Sequence, residues 1–188
     1  KGETNYYWLG TDKHDVTIEN NGSTDFYDIC SEIKKDKDVE QTVRRNYNMG
    51  FAIPYHQSTS ALVFETFENV EIPVLKGHNP KHSNEVVVGN IYLKEMGIDV
   101  GDYITVQLDE THKKDLLVVG TYQGFYNMGR GIKIMGSLLE ENDIPFQYTE
   151  CSITLKQGVD KVAFMKELKE KYGTDIKVID RKNLYASI

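Results

Sequence analysis

The sequence predicts an α+β fold in which both ends of the chain form one split βαβ, ferredoxin-like layer and the middle forms an inserted small α/β lobe. A strand–helix–strand pattern occurs near each end, and the segment between them has a different order of short strands around one short helix. Because two such end patterns can share one sheet, the middle becomes the insertion. The predicted discontinuous domain comprises residues 1–71 and 141–188, and the predicted lobe comprises residues 72–140.

The N-terminal pattern begins with a short apolar strand at residues 16–18. Apolar residues then recur between Phe26 and Ile33 at the i, i+3, i+4, i+7 spacing of a helix with one buried face, which includes Cys30. From residue 39 to 53 the apolar residues alternate, and residues 61–67 form a second β-prone run. The first third of the chain therefore predicts strand, helix, strand, strand.

The C-terminal pattern repeats this order. Residues 152–156 predict a strand, and Gly158 and Asp160 then open a helix that ends at Gly173, which is placed at a left-handed C-cap. The predicted inner face of this helix is Val162, Ala163, Met165 and Leu168. Residues 176–179 complete the unit as a strand, which gives a second βαβ pattern.

The middle of the chain predicts a compact unit of its own. Residues 85–88 form an apolar strand, and residues 90–96 form a short helix with Gly97 at its C-cap. Gly101 and Asp102 turn the chain into a strand at residues 103–106. The charged residues 109–115 predict a hairpin tip, from which residues 116–122 return as a strand.

Composition excludes several classes of protein. The chain has 188 residues, 29 acidic against 22 basic, and a net charge of −7 without a Lys/Arg cluster, so nucleic acid is not an expected partner. No apolar run approaches the roughly 20 residues that span a bilayer. Cys30 and Cys151 are too few and too distant in sequence for a metal or redox motif, and we expect two packed thiols, with a disulfide open in an oxidising compartment.

No catalytic or cofactor-binding spacing is present, so we expect no catalytic residue, no metal and no cofactor. His78 and His82 have the i, i+4 spacing of a zinc pair, but Pro80 lies between them and disfavours the helix that would align the two rings. We interpret both histidines as solvated loop residues. Glu85, the nearest carboxylate, is interpreted as a strand-edge charge.

The glycine-rich residues 120–136 predict turns rather than a phosphate cradle, because no strand–loop–helix order surrounds them. The aromatic and apolar residues of this stretch predict a contact loop for a partner, and the alternative is that they fold back onto the core. The residues of this possible partner-contact loop are Tyr122, Phe125, Tyr126, Met128 and Arg130. A second aromatic cluster, Tyr6-Tyr7-Trp8, is typical of a membrane interface or of packing on a sheet edge.

The order of features in the middle resembles a segment of FtsX-like and MacB-type ABC transporter permeases. The stretch "VLKGHNPKHSNEVVVGNIYLKEMGIDVGDYITVQLD", followed by "DLLVVGTY", carries this resemblance over roughly fifty residues. The turn positions of the family-like motif are Gly77, Pro80, Gly97, Gly101, Asp102 and Gly120. His78 departs from the pattern, because many members have Arg or Lys at that position.

The resemblance implies an extracytoplasmic domain with a porter-like layer from the two ends, tethered to the membrane on both sides and facing the periplasm or cell surface. It implies two further components, a cytoplasmic ABC ATPase subunit that hydrolyses ATP and a second permease copy. The implied role is to transmit ATP-driven movement in order to export, extract or act on a lipid, lipoprotein, peptide or envelope partner. The alternative is a free-standing cell-surface module that binds a peptide or glycan through residues 122–130.

A moving domain also needs a hinge. We expect it in the two segments that connect the predicted domain with the predicted lobe, residues 68–76 and 136–150. Pro73 and Pro145 limit the backbone flexibility of these segments. The sequence further predicts that Ile72→Gly leaves folding mostly intact and weakens coupling.

Overall fold

The computed structural model describes residues 12–183, which fall into two compact units. The terminal unit contains residues 14–45 and 148–183, and the central unit contains residues 12–13 and 46–147. The aromatic cluster Tyr6-Tyr7-Trp8 lies outside the described residues. Within residues 12–183, no helix combines the length and the apolar character that crossing a membrane requires.

The described residues contain ten strands and four α-helices, together with short 3-10 helices at Tyr126–Gly129, Gly173–Asp175 and Arg181–Asn183. In chain order the elements are β1 Val16–Asn20, α1 Phe26–Lys34, β2 Val39–Phe51, β3 Thr59–Phe64, β4 Lys76–Gly77, β5 Glu85–Gly89, α2 Asn90–Met96, β6 Tyr103–Gln107, β7 Lys113–Tyr122, β8 Ile132–Met135, α3 Gly136–Glu141, β9 Glu150–Leu155, α4 Lys161–Tyr172 and β10 Ile176–Asp180.

The terminal unit is the split βαβ layer that the sequence predicts. Its strand order is β10-β1-β9-β2, and every neighbouring pair is antiparallel. Helix α1 connects β1 to β2, and α4 connects β9 to β10, so two parallel-strand βαβ units interleave in one sheet. Strands β1 and β10 are direct neighbours, with Val16 opposite Asp180. The α+β fold with a ferredoxin-like layer from both ends is therefore confirmed.

Helix α1 buries the face that its spacing predicts, namely Phe26, Ile29, Cys30 and Ile33. Cys30 and Cys151 form no disulfide with each other, and both thiols are buried within the same hydrophobic core. This outcome agrees with the predicted packing of two thiols.

The predicted inner face of α4 is partly wrong. Phe164 and Leu168 are its buried residues, whereas Val162 is 74% exposed and Ala163 is also exposed. The bulky Phe164 takes the inward position, and Val162, two residues earlier, is rotated by about 200° away from it. The prediction of a left-handed C-cap at Gly173 is also wrong. The φ of Gly173 is 54°, but its ψ of −128° lies outside the left-handed helical region.

The central unit holds a mixed sheet in the order β2-β3-β8-β5-β7-β4, with β6 paired to the N-terminal half of β7. Strand β8 runs parallel to β3 and antiparallel to β5, and β5 runs parallel to β7. All five residues of β5 are buried, as are the first three of β8. Strand β8 and helix α3 were not predicted.

The two units divide the chain at positions that differ from the predicted boundaries. Residues 46–71 and 141–147 belong to the central unit, in which β3 pairs with β8. The chain passes between the units at residues 45/46 and 147/148. Within each unit, the residues at the two crossing points are hydrogen-bonded to each other. In the terminal unit the Arg45 carbonyl accepts from the Thr149 amide at 3.0 Å, and in the central unit Asn46 Nδ2 donates to the Gln147 carbonyl at 2.7 Å.

These positions correct the expected hinge. Residues 68–76 lie wholly inside the central unit, and only residues 148–150 of the second segment lie outside it. Ile72 is a buried core residue whose carbonyl accepts a hydrogen bond from Asn79 Nδ2 at 2.8 Å. The burial of Ile72 contradicts the expectation that Ile72→Gly leaves folding mostly intact, because the change would open a cavity in the core.

Candidate contact loop

The contact loop, defined as residues 123–131, connects β7 to β8 in the central unit. It contains the 3-10 helix Tyr126–Gly129. Two consecutive residues within it, Asn127 (φ 44°, ψ 36°) and Met128 (φ 53°, ψ 36°), adopt the left-handed conformation. Since side chains other than glycine rarely adopt this region, and methionine has no polar group to compensate locally, the loop tip holds a strained backbone.

A tyrosine hydroxyl holds the base of the loop together. Tyr122 is buried, and its hydroxyl donates to the Tyr126 carbonyl and accepts from the Gly131 amide, both at 2.8 Å. Burial raises the pKa of the Tyr122 phenol, so the hydroxyl stays protonated and available as a donor at every physiological pH. The two ends of the loop are therefore joined through one buried side chain.

Two glycines, Gly89 and Gly129, allow the loop to pack directly on the end of β5 and on α2. The Gly89 amide donates to the Gly131 carbonyl at 2.9 Å. A Cβ atom at Gly89 would collide with the backbone of Gly129, and a Cβ atom at Gly129 would lie 2.7 Å from Ile91 Cγ1. Each position therefore requires glycine for close backbone approach.

Arg130 fastens the far end of the loop to α2. Its Nη2 and Nε both donate to Glu95 Oε1, at 2.7 and 2.9 Å, and its carbonyl accepts from Thr59 Oγ1 at 2.9 Å. The hydrogen bond from Arg130 lowers the pKa of Glu95. The guanidinium is therefore engaged within the protein rather than presented to an anion.

The predicted contact residues separate into two groups. Tyr122 is buried and Tyr126 is half-buried, with ring centroids 6.0 Å apart, so these two form the base of the loop. Phe125 and Met128 are 68% and 75% exposed. The exposed apolar surface is therefore confined to these two side chains at the tip.

The amides of the loop do not form a phosphate cradle. The Met128 amide donates to the Phe125 carbonyl, the Arg130 amide donates to the Asn127 carbonyl, and the Gly131 amide donates to Tyr122. Because these donors are used internally, the loop favours apolar contact over anion binding.

Two of the turn positions in the family-like motif form a contact between strands. Gly77 lies opposite Gly120 in the β4–β7 pair, and the His78 amide donates to the Val119 carbonyl at 3.0 Å. A Cβ atom on Gly77 would collide with the Val119 carbonyl oxygen, and one on Gly120 would collide with the His78 carbonyl oxygen. These glycines therefore allow two backbones to approach closely, in addition to turning the chain.

The remaining motif positions lie in turns around α2 and before β5. Gly97 is the left-handed C-cap of α2. Gly101 has a φ of 101°, and Asp102 Oδ2 accepts from the Asp99 amide at 2.8 Å. Pro80 is buried in the loop before β5.

The histidine pair does not form a metal site. His78 and His82 are exposed, and Glu85 Oε1 accepts from the amides of Lys81 and His82 at 2.7 and 2.9 Å. Glu85 is thus a buried carboxylate that closes a turn rather than an edge charge facing solvent. Across residues 12–183, no group of three or more His, Cys, Asp or Glu side chains lies close enough to hold a metal ion.

Sequence reasoning missed Lys133, which lies beneath the contact loop on β8. Its side chain is fully buried, and its Nζ lies 4.6 Å from the centroid of the Tyr122 ring and has no hydrogen-bond partner among residues 12–183. Burial lowers the pKa of Lys133 to about 7, although the charge of Asp12 acts in the opposite direction. A lysine next to Ile132 and Ile134 gives no sequence signal of burial, because lysine is normally exposed.

Several solved structures share this fold. The periplasmic region of MacB from Actinobacillus actinomycetemcomitans matches with a TM-score of 0.63 at 13% identity, over 97% of this chain and 95% of that one. The extracellular domain of the noncanonic ABC-type transporter YknZ from Gram-positive bacteria matches with a TM-score of 0.63 at 10% identity, over 89% and 100%. A domain of a candidate permease from Porphyromonas gingivalis matches with a TM-score of 0.53 at 10% identity, over 92% and 88%.

No protein-family model and no curated protein sequence matches this chain. At the identities of the structural matches, the likeness establishes the fold. The chain has the fold of these extracytoplasmic transporter domains along nearly its whole length.

Proposed function

We propose that this chain is the extracytoplasmic domain of an ABC transporter permease, and that it transmits ATP-driven movement to a lipid, lipoprotein, peptide or envelope partner. The observation that carries the proposal is the antiparallel pairing of β1 with β10, with Val16 opposite Asp180, in a fold shared with such domains. The domain itself performs no catalysis in this proposal. ATP hydrolysis belongs to a separate cytoplasmic subunit, and a second permease copy completes the transporter.

The pairing of β1 with β10 supports a tether on each side of the domain. Because the strands are antiparallel, the first residue of β1 and the last residue of β10 lie side by side at the same end of the two strands. The Arg181 amide donates to the Asp15 carbonyl at 3.2 Å, which continues the pairing beyond the strands. Two membrane helices that lead into and out of these strands would start side by side, so their displacement would move the terminal unit as one body.

The contact loop supports the second half of the proposal, contact with a partner. Met128 presents an apolar side chain from a strained backbone, while Tyr122 and Arg130 fix the base of the loop. Strain that surrounding contacts maintain is typical of functional sites. A stiff loop with an exposed apolar tip suits the transfer of a displacement, because little of the movement is lost in bending the loop.

The test uses the full-length protein, tagged and purified in detergent from its native host. We expect an ATP-binding subunit to co-purify with it. Its absence, together with release of the protein from the membrane by salt alone, would contradict the proposal and favour the free-standing surface module that binds a peptide or glycan.

A matched pair of variants tests the contact loop. Met128→Glu places a charge at the exposed tip, and Lys169→Glu places one on the exposed side of α4. Both should retain the ATP-binding subunit, and only Met128→Glu should fail to restore the phenotype of a strain that lacks the gene. Equal complementation by the two variants would contradict a contact role for the loop.

A further inference from the structure

Among residues 12–183, only one residue of strand β6 has a partner on the side that faces away from β7. β6 pairs with β7 from Tyr103 to Gln107. The Val118 amide donates to the Asp102 carbonyl, and the Leu108 amide donates to the His112 carbonyl, so the even-numbered residues bond toward β7. Because backbone groups alternate sides along an antiparallel strand, the N–H and C=O of Tyr103, Thr105 and Gln107 point outward.

Of these three residues, Gln107 is the one with a backbone partner on the outer side in the described part of the chain. Its amide donates to the Ala52 carbonyl at 2.8 Å, within an antiparallel bridge. Continuing that register would place Pro54 opposite Thr105, but proline has no N–H to donate. The next residue, Tyr55, has a φ of 69°, and the His56 amide turns back to the Ile53 carbonyl at 3.0 Å, so the chain leaves the edge.

The outward backbone groups of Tyr103 and Thr105, named here the β6 edge, have no hydrogen-bond partner within residues 12–183. The residues of β6 before Gln107 are Tyr, Ile, Thr and Val, which favour strands, and they include no charge, proline or bulge. Proteins usually protect exposed edges with one of these devices. The β6 edge lacks that protection.

A groove of about 320 Å³ lies beside the edge. Its apolar lining includes Ile53, Pro54 and Tyr55 from the segment after β2, and Met96 and Ile98 from the end of α2 and the turn after it. Tyr55 is fully exposed, and the Tyr103 side chain, which also lines the groove, is 62% exposed. His56 and Lys113 also line the groove, so it is a mainly apolar depression with room for a side chain, directly next to open backbone donors and acceptors.

We propose that the β6 edge binds an extended peptide segment of another protein as an added strand, with one apolar side chain of that peptide in the groove. The open N–H and C=O groups belong to every second residue of the strand, so they repeat at about 7 Å. This is the spacing that the backbone of an extended peptide complements. Neither a lipid nor a glycan offers alternating donors and acceptors at that repeat. The occupant is therefore a peptide in β conformation.

The test begins with a displayed library of random linear peptides, selected for binding to the 188-residue chain. The blocking variant is Thr105→Pro, which removes an outward N–H and leaves the β6–β7 hydrogen bonds intact. The matched control is Thr105→Ala, because both changes remove the 2.6 Å hydrogen bond from Thr105 Oγ1 to Asp115 Oδ1, and only the proline removes the N–H.

Selected peptides should bind the native chain and Thr105→Ala with the same Kd, and should bind Thr105→Pro at least about tenfold more weakly, because one backbone hydrogen bond is lost and the proline ring blocks the edge. Selection of no peptide, or equal binding to Thr105→Pro, would overturn the proposal. A dimer of the native chain that Thr105→Pro abolishes would also overturn it, because the occupant would then be a second copy.

If Thr105→Pro does not fold, N-methylated peptides provide the second measurement. Two versions of each peptide are made, one methylated at the odd-numbered amides and one at the even-numbered amides. Only one version should lose binding, since only every second N–H of the peptide faces β6. If the two methylated versions bind equally well or equally poorly, the proposal that the peptide adds as a strand is overturned.

Discussion

Among single residues, the buried Tyr122 and the half-buried Tyr126, whose rings lie 6.0 Å apart, have opposite roles. The Tyr122 hydroxyl makes two hydrogen bonds that close the contact loop, whereas the Tyr126 hydroxyl is buried and has no hydrogen-bond partner in the part of the chain that the structure describes. A hydroxyl stabilises a buried site only when its donor and acceptor capacity is used. The pair therefore separates the contribution of the hydrogen bonds from that of aromatic packing.

We expect Tyr122→Phe to lower the free energy of unfolding by about 1–3 kcal/mol, because it leaves the Tyr126 carbonyl and the Gly131 amide without partners. Tyr126→Phe should leave stability unchanged or raise it. Urea titrations measure both changes, and hydrogen exchange at the Gly131 amide should accelerate only in Tyr122→Phe. A larger loss in Tyr126→Phe would contradict the assigned roles.

Lys133 makes the stability of the central unit depend on pH in a defined direction. Its folded pKa of about 7 lies below the ordinary value of 10.5, so between these values the unfolded chain binds one more proton than the folded chain. Stability therefore rises with pH across this window, by up to about 1.4 kcal/mol per pH unit. Below pH 7 the Lys133 ammonium is charged in the folded chain as well, so the full cost of burying that charge lowers the free energy of unfolding.

Lys133→Met removes the titrating group and keeps a similar shape. The free energy of unfolding of the native chain, minus that of Lys133→Met, should increase from pH 7 to pH 9.5. Denaturant titrations at several pH values measure this difference. Parallel stability curves for the two proteins would contradict the burial of an uncharged lysine.

At the scale of elements, the β4–β7 pair depends on two glycines that face each other. Gly77 has a φ of 79°, and a Cβ atom there would collide with the Val119 carbonyl oxygen. Gly101 also has a positive φ, of 101°, but a Cβ atom there would meet nothing within 4 Å. The two positions therefore distinguish backbone strain from steric collision.

Gly101→Ala should lower the free energy of unfolding by about 1 kcal/mol, from the left-handed conformation alone. Gly77→Ala should cost this amount plus about 1–3 kcal/mol for the displaced backbone. Thermal unfolding compares the variants directly. Equal losses would show that β4 and β7 do not approach as closely as described.

The elements that the sequence predicts well are those with regular apolar spacing and clear ends. The face of α1 and the strands β5 and β6 follow from such patterns. Strand β8 was missed because it spans only four residues between glycines and contains Lys133, which signals exposure. The inner face of α4 was misassigned because the spacing of Val162, Met165 and Leu168 competes with that of Phe164, and only packing decides between them.

The contact loop was only partly accessible to the same reasoning. Exposure of Met128 and Phe125 follows from their position in a glycine-rich stretch, and the sequence predicts it as one of two alternatives. The pairing of Arg130 with Glu95 joins residues far apart in the chain, so no local pattern indicates it. The left-handed Met128 is likewise set by its surroundings, because nothing in its own side chain favours that conformation.

Across the whole molecule, the proposed transmission of movement depends on a unit that is discontinuous in sequence. The terminal unit closes with β1 beside β10, and the chain crosses to the central unit at residues 45/46 and returns at 147/148. Each unit has its own buried apolar residues and its own strand order. Bodies of this kind pass on a displacement as a shift between discrete states, since close-packed interiors do not deform continuously.

The most direct test of this account measures movement of the domain in the assembled transporter. Glu110→Cys, on the exposed turn between β6 and β7, carries a spin label, while Cys30 and Cys151 are buried and stay unlabelled. The distance between labels on two permease copies is measured by electron spin resonance, without nucleotide and with a non-hydrolysable ATP analogue. The account predicts that the distance distribution shifts when the nucleotide binds. Identical distributions in the presence of a bound ATP-binding subunit would contradict it.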